Sequence, residues 1–137
     1  MSDKTRCNGN WTEARYRGFI TSALRRASGR WAPKTTVKSK ARVSRGFYTC
    51  ASCKEEVPAS LKTEKGRVNN VYVDHIDPVV DPSVGFTTWD DFIERLFCEE
   101  DNLQVLCKAC HDEKSSKEKE IAKERRRKER DATRNIQ

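Results

Sequence analysis

Two CxxC pairs, Cys50-x2-Cys53 and Cys107-x2-Cys110, constrain this chain more than any other feature, because 53 residues separate them. Each pair turns the backbone so that two sulfurs converge. Two such knuckles facing each other make a tetrahedral four-thiolate site, the geometry that structural zinc prefers. The gap is far longer than in a simple ribbon, so the ion would tie distant segments together around a folded insert. A staple of this kind suits the composition. The chain has 137 residues, 35% hydrophobic and 36% charged, enough for one modest domain with a thin core. In a reducing compartment, paired CxxC motifs point to metal rather than to disulfides. The remaining cysteines have no such partner: Cys98 ends an apolar helical run and reads as a buried small hydrophobe, and Cys7 as a free thiol in a flexible start.

Charge is segregated along the chain. Residues 1–46 carry 12 Lys/Arg against 2 Asp/Glu, residues 47–111 carry 6 against 12, and residues 112–137 carry 10 against 7. An acidic centre between basic flanks fits flanks that hold phosphates and a centre that holds a divalent cation. The opening "MSDKTRCNGNW" is polar and no apolar run reaches the length of a membrane span, so the expectation is a soluble, cytoplasmic protein with no membrane partner.

The pattern predicts an α+β chain. Residues 1–9 read as a disordered start. "NWTE" offers Asn10 as an N-cap with Glu13 three residues on. Tyr16, Phe19, Ile20, Ala23, Leu24 and Ala27 then recur at helical spacing up to Gly29. The opposite face carries Arg15, Arg25 and Arg26, candidates for phosphate contact. "RWAPKTTVKSKARVSRG" reads as a basic loop or arm, with Arg30, Lys34, Lys38, Lys40 and Arg42 able to follow a nucleic-acid backbone. "FYTCASCKEEVP" predicts a strand and a tight turn, "RVNNVYVDHIDP" a second hairpin or strand with Val71 and Val73 inward, and "NLQVLC" a further strand. "TTWDDFIERLF" predicts a helix capped by Thr88 with Trp89, Phe92, Ile93, Leu96 and Phe97 on its apolar face. A long helix should begin near Cys110. Its last stretch is nearly all charge, with Ile121 almost its only apolar anchor, and is either solvated or frayed beyond about residue 120.

Only two histidines are present, and each lies in a dense motif: His75 in "VDHIDP" and His111 in "DNLQVLCKACHDEKS". If four cysteines fill a zinc site, His111 is left over. Hydrolysis of a phosphodiester needs an activated water and charge neutralisation at the phosphate. A neutral histidine suits the first task. A divalent ion held by one carboxylate and one imidazole suits the second, since positions stay open for phosphate oxygens and water. Asp74 and His111 would be those ligands and His75 the base, with Asn102 bracing a loop. Neighbouring strand residues point to opposite faces, so Asp74 and His75 can share a site only where the strand ends. Asp77 is the alternative carboxylate. Lys114, three residues after His111, would share its helix face and contact phosphate.

"VDHIDPVV" followed by "DNLQVLCKACHDEKS" resembles the HNH endonucleases and their ββα-metal (His-Me finger) fold. The resemblance covers roughly residues 47–117, and "WTEARYRGFITSALRR" also looks like the start of small phage-encoded members. It implies His75 as general base, Asn102 as brace, Asp74 and His111 as ligands of Mg²⁺ or Mn²⁺, and Cys50, Cys53, Cys107 and Cys110 as structural zinc ligands. It also implies cleavage of double-stranded DNA leaving 5′-phosphate and 3′-hydroxyl ends. The organisation expected is a basic helix and arm over 1–46, a nuclease domain over 47–117 and a charged helix or tail over 118–137. The chain would act as a monomer or a transient dimer on DNA, in the host-cell cytoplasm if phage-encoded. The competing expectation is a non-catalytic, zinc-stabilised nucleic-acid-binding module whose histidines pack or hydrogen-bond.

Overall fold

A computed structural model describes residues 3–136. The chain is a mixed α+β protein with two compact units, residues 1–31 and 32–137.

In the first unit, β1 (Lys4–Arg6) pairs antiparallel with β2 (Trp11–Thr12), and α1 (Glu13–Ser28) follows at once. From Lys4 the chain is therefore a small hairpin rather than disordered, residues 1 and 2 lying outside the described residues. Cys7, Asn8 and Gly9 form its turn, all at positive φ. Such a turn favours Asn and Gly, so the sequence carried a hairpin signal in "CNGN". The helix cap is Thr12, not Asn10: the Thr12 hydroxyl accepts from the Arg15 amide at 3.1 Å. Glu13 instead accepts from the Thr5 hydroxyl and from Arg6, which fastens the hairpin to the helix. Arg6 lies over the Tyr16 ring, Arg15 lies over Trp11, and Trp11 meets Phe19 edge-on. The apolar stripe is only half covered: Tyr16, Ile20 and Leu24 are half-buried, while Phe19 is 63% exposed.

In the second unit, the expected basic arm is a helix, α2 (Ala32–Ala41), followed by β3 (Arg42–Ser44). Pro33 suggests a break that the chain does not make. Proline is tolerated in the first turn of a helix, where its missing N–H has no intrahelical partner anyway. β3 pairs with β4 (Phe47–Thr49), and β4 with β5 (Glu56–Pro58), in a three-stranded antiparallel sheet. β6 (Ser60–Thr63) and β7 (Gly66–Asn69) form a separate hairpin with an almost wholly exposed surface. β8 (Val71–His75) pairs antiparallel with β9 (Leu103–Cys107), in register from Val71↔Cys107 to His75↔Leu103. Between them lie α3 (Trp89–Leu96) and a 3-10 turn at Glu100–Asn102.

α3 starts as its sequence predicts, with the Thr88 hydroxyl accepting from the Asp91 amide. It buries Phe92 and Leu96, while Ile93 stays 40% exposed. The final helix, α4, runs from Lys108 to Ile136. It begins directly after β9 and does not stop near residue 120. The core is thin, as the composition requires: Cys50, Val71, Val79, Phe92, Leu96, Leu103, Val105, Leu106 and Cys107 are its buried hydrophobic members. No helix of the described residues is long and apolar enough to cross a membrane.

Candidate metal centre and its surroundings

The two knuckles converge. Cys50 follows β4, Cys53 sits on the turn behind it, Cys107 ends β9, and Cys110 lies in the first turn of α4. Their four sulfurs all lie within 4.8 Å of one another. The knuckle at Cys50 is closed by Cys50 N–H to Glu55 O at 3.0 Å and Lys54 N–H to Cys50 O at 2.9 Å, with Lys54 at φ 66°. It is clipped to β9 by Ala51 N–H to Val105 O at 2.8 Å.

The donor set and its electrostatics suit a soft, tetrahedral ion. Burial opposes ionisation of Cys50, but N–H groups of Cys107, Cys53 and Ser52 aimed at its sulfur outweigh burial and bring its pKa down to about 6. The Cys107 amide donates to it at 3.4 Å. Cys110 is held up at about 12, chiefly by its hydrogen bond to Cys107 and by burial. One sulfur is thus readily a thiolate and a neighbour keeps its proton as a donor, an arrangement a metal would replace by binding all four as thiolates. Zn²⁺ fits this set: four thiolates, no open position, and a location that ties β4, β9 and α4 together.

Asn70 holds the start of α4 and had no signature in the sequence. It is 5% exposed, its Nδ2 donates to Pro58 O, its N–H donates to Ala59 O, and its backbone and side-chain oxygens both receive the Lys108 amide. A buried amide joining β5, β8 and α4 in this way fixes the helix that carries Cys110.

The expected hydrolytic centre is not assembled. Among the described residues, the group of His, Cys, Asp or Glu side chains able to hold a metal is the four cysteines, and neither histidine nor Asp74 belongs to it. Each member of the expected catalytic set has another engagement. The Asp74 carboxylate pairs with Lys114 Nζ at 3.1 Å and accepts from Gln104 Nε2 at 3.2 Å. An ammonium ion stands beside the carboxylate that a divalent cation would need. Lys114 also reaches Glu118 and the His75 carbonyl. Burial lowers its pKa, but these two carboxylates more than offset that and hold it above the ordinary lysine value.

His75 Nε2 lies 2.9 Å from Leu96 O. A carbonyl only accepts, so Nε2 carries the hydrogen in this contact. The His111 ring stacks on Tyr72, with centroids 4.5 Å apart and planes at 13°, and its Nδ1 lies 3.7 Å from Asp112. The reading of an HNH endonuclease, with His75 as base and Mg²⁺ or Mn²⁺ on Asp74 and His111, is therefore corrected to a four-cysteine structural centre flanked by packed and hydrogen-bonded histidines. The error came from adjacency in sequence. Dense His and Asp motifs suggest convergence, whereas the strand pair and α4 give each side chain a structural partner.

Asn102 ties the loop after β8: its Oδ1 accepts from Asp77 N–H at 2.8 Å, its Nδ2 donates to Asp77 O, and its carbonyl accepts from Ile76 N–H. Of the basic candidates on α2, Lys38 lies over the Tyr48 ring and Lys40 pairs with Glu100 at 2.8 Å. Family models, curated proteins and solved structures show no match to this chain.

Proposed function

We propose that the chain is a non-catalytic, zinc-stabilised nucleic-acid-binding module built on a strand–strand–helix finger of the ββα type. The observation that carries this reading is the four-sulfur cluster joining β4, β9 and α4, with both histidines engaged in packing or hydrogen bonding. The charge pattern supports the partner: the first 46 residues hold 12 basic side chains and 2 acidic ones. Arg15, Arg25, Arg26 and Arg30 would offer phosphate contacts from the first unit, and Lys34, Lys38, Lys40 and Arg42 from the second. Contacts of this kind supply affinity rather than sequence choice. Lys114, held by two carboxylates, is left to structure. The partner is double-stranded DNA, bound by a monomer in the cytoplasm of the cell in which the chain is made.

The test combines three measurements on the full chain. Atomic emission should find one zinc per chain. Fluorescence anisotropy with a 30-base-pair duplex should show binding that weakens steeply between 50 and 200 mM salt, by about a thousandfold if some six phosphates are engaged. Supercoiled plasmid should stay intact with Mg²⁺, Mn²⁺ or EDTA. Absence of binding at 50 mM salt rejects the partner, and metal-dependent cutting rejects the non-catalytic reading.

A further inference from the structure

α4 continues well past the metal centre, and its outer part is not evenly charged around its circumference. Lys119, Lys123, Arg126, Arg130 and Arg134 follow one another at helical intervals of four, three, four and four residues. At 3.6 residues per turn these positions fall within about 80° of one another and run for about 22 Å along the axis. All five are exposed. Among the described residues none of them has a carboxylate within ion-pair distance, whereas Lys114, Lys117, Arg125 and Arg127, elsewhere around the helix, each do. The acids of this part of the helix, Glu120, Glu124 and Asp131, lie on one flank of the stripe, and Glu118 and Glu129 on the other.

We infer that this stripe is a second binding surface, separate from α1 and α2, and that its occupant is the phosphate backbone of duplex DNA. The inference rests on the proposed nucleic-acid partner and adds a surface to it. A solvated helix gains from alternating charge through i,i+4 pairs, and the inner part of α4 has them. The stripe gives up such pairs and collects like charges on one side, which is unfavourable unless a polyanion neutralises it. A membrane surface does not fit, since an interfacial helix needs an apolar face and Ile121 is the single large apolar side chain between Lys114 and Asn135. The one-sided geometry suits the rim of a B-form major groove, about 12 Å wide and accessible to a helix. The acidic flanks keep α4 on that rim rather than within the groove. In an A-form RNA duplex the major groove is so narrow that the phosphates of its opposite rim would stand against an acidic flank of the stripe.

The test replaces Lys119, Lys123, Arg126, Arg130 and Arg134 with glutamine, which preserves helix propensity, in the zinc-loaded full chain; circular dichroism verifies helix content. Binding to a 30-base-pair DNA duplex is followed from 50 to 300 mM salt. The slope of log affinity against log salt should fall by about 4.5, since each of the five lost phosphate contacts removes about 0.9. A second variant, Glu120→Gln with Asp131→Asn, raises the net charge without touching the stripe and should leave the slope unchanged. The inference is overturned if the five-residue variant keeps the parental slope, if the flank variant shifts it equally, or if a duplex RNA shows the same loss. Failure of the unmodified chain to bind DNA at all would instead reject the proposed function. A parental chain that binds, with no effect of the stripe, rejects only this surface.

Discussion

Lys114 shows how one side chain decides between two readings of the same motif. Its ammonium sits between Asp74, whose side chain is 16% exposed, and Glu118, and it donates to the His75 carbonyl. Removing it leaves a nearly buried carboxylate without its counter-ion. Lys114→Ala should therefore lower stability by about 1–3 kcal/mol in urea denaturation. Lys117→Ala, which breaks a fully solvated pair with Glu113, should stay within about 0.5 kcal/mol. Because the pKa of Lys114 is raised, its contribution is present at neutral pH and is lost only as pH climbs above the ordinary lysine range. The cysteines make the opposite case. Cys50, depressed to about 6, favours the folded metal-free chain above the ordinary thiol range and ceases to do so as pH falls through about 6. Zinc loading followed with a pH indicator at pH 7.5 should release fewer than four protons per ion, since Cys50 already enters as thiolate. Release of four would show that the amides around Cys50 do not hold its charge.

At the level of elements, what could be read in the sequence depended on whether a signal was local. Thr88 as a cap, the apolar face of α3 and the strand over Leu103–Cys107 rest on residues close in sequence, and each is present. The two CxxC pairs lie far apart, but each is a local motif and a tetrahedral ion needs both, so their convergence was legible too. α2 was hidden because Pro33 signals a break in most contexts yet is harmless in a first turn. The fate of Asp74 and both histidines was hidden because their partners, Lys114, Leu96 and Tyr72, are set by packing across β8, β9, α3 and α4. The loop before α3 illustrates such a long-range device. Gly85 has φ +90°, and Arg125 of α4 lies across it, donating to Pro82 O at 3.3 Å. A Cβ at this position would meet the guanidinium at 2.6 Å. Gly85→Ala combines a left-handed alanine with loss of this clamp and should cost about 1–3 kcal/mol. Gly46→Ala, at φ +81° with open space around it, should cost about 1 kcal/mol, both read as shifts in urea midpoint.

For the whole molecule, a thin core makes stability depend on the metal centre. The cluster includes two of the buried core positions, Cys50 and Cys107, and Leu106 packs beside them. Stripping zinc with a strong chelator should abolish the cooperative thermal transition of residues 32–137, with circular dichroism retaining at most part of the helical signal; a sharp, unshifted transition would contradict the staple. The spacing of the ligands also bears on how this chain tolerates change in length. An ion joining Cys50 to Cys107 closes one long loop, and the β6–β7 hairpin, exposed along nearly all of its surface, lies within it. The entropy of closing a loop grows only logarithmically, so even doubling its length costs about 0.6 kcal/mol. The turn at Glu64–Lys65 is thus a port: a peptide or a small domain could be spliced there, and the four sulfurs would still find one another.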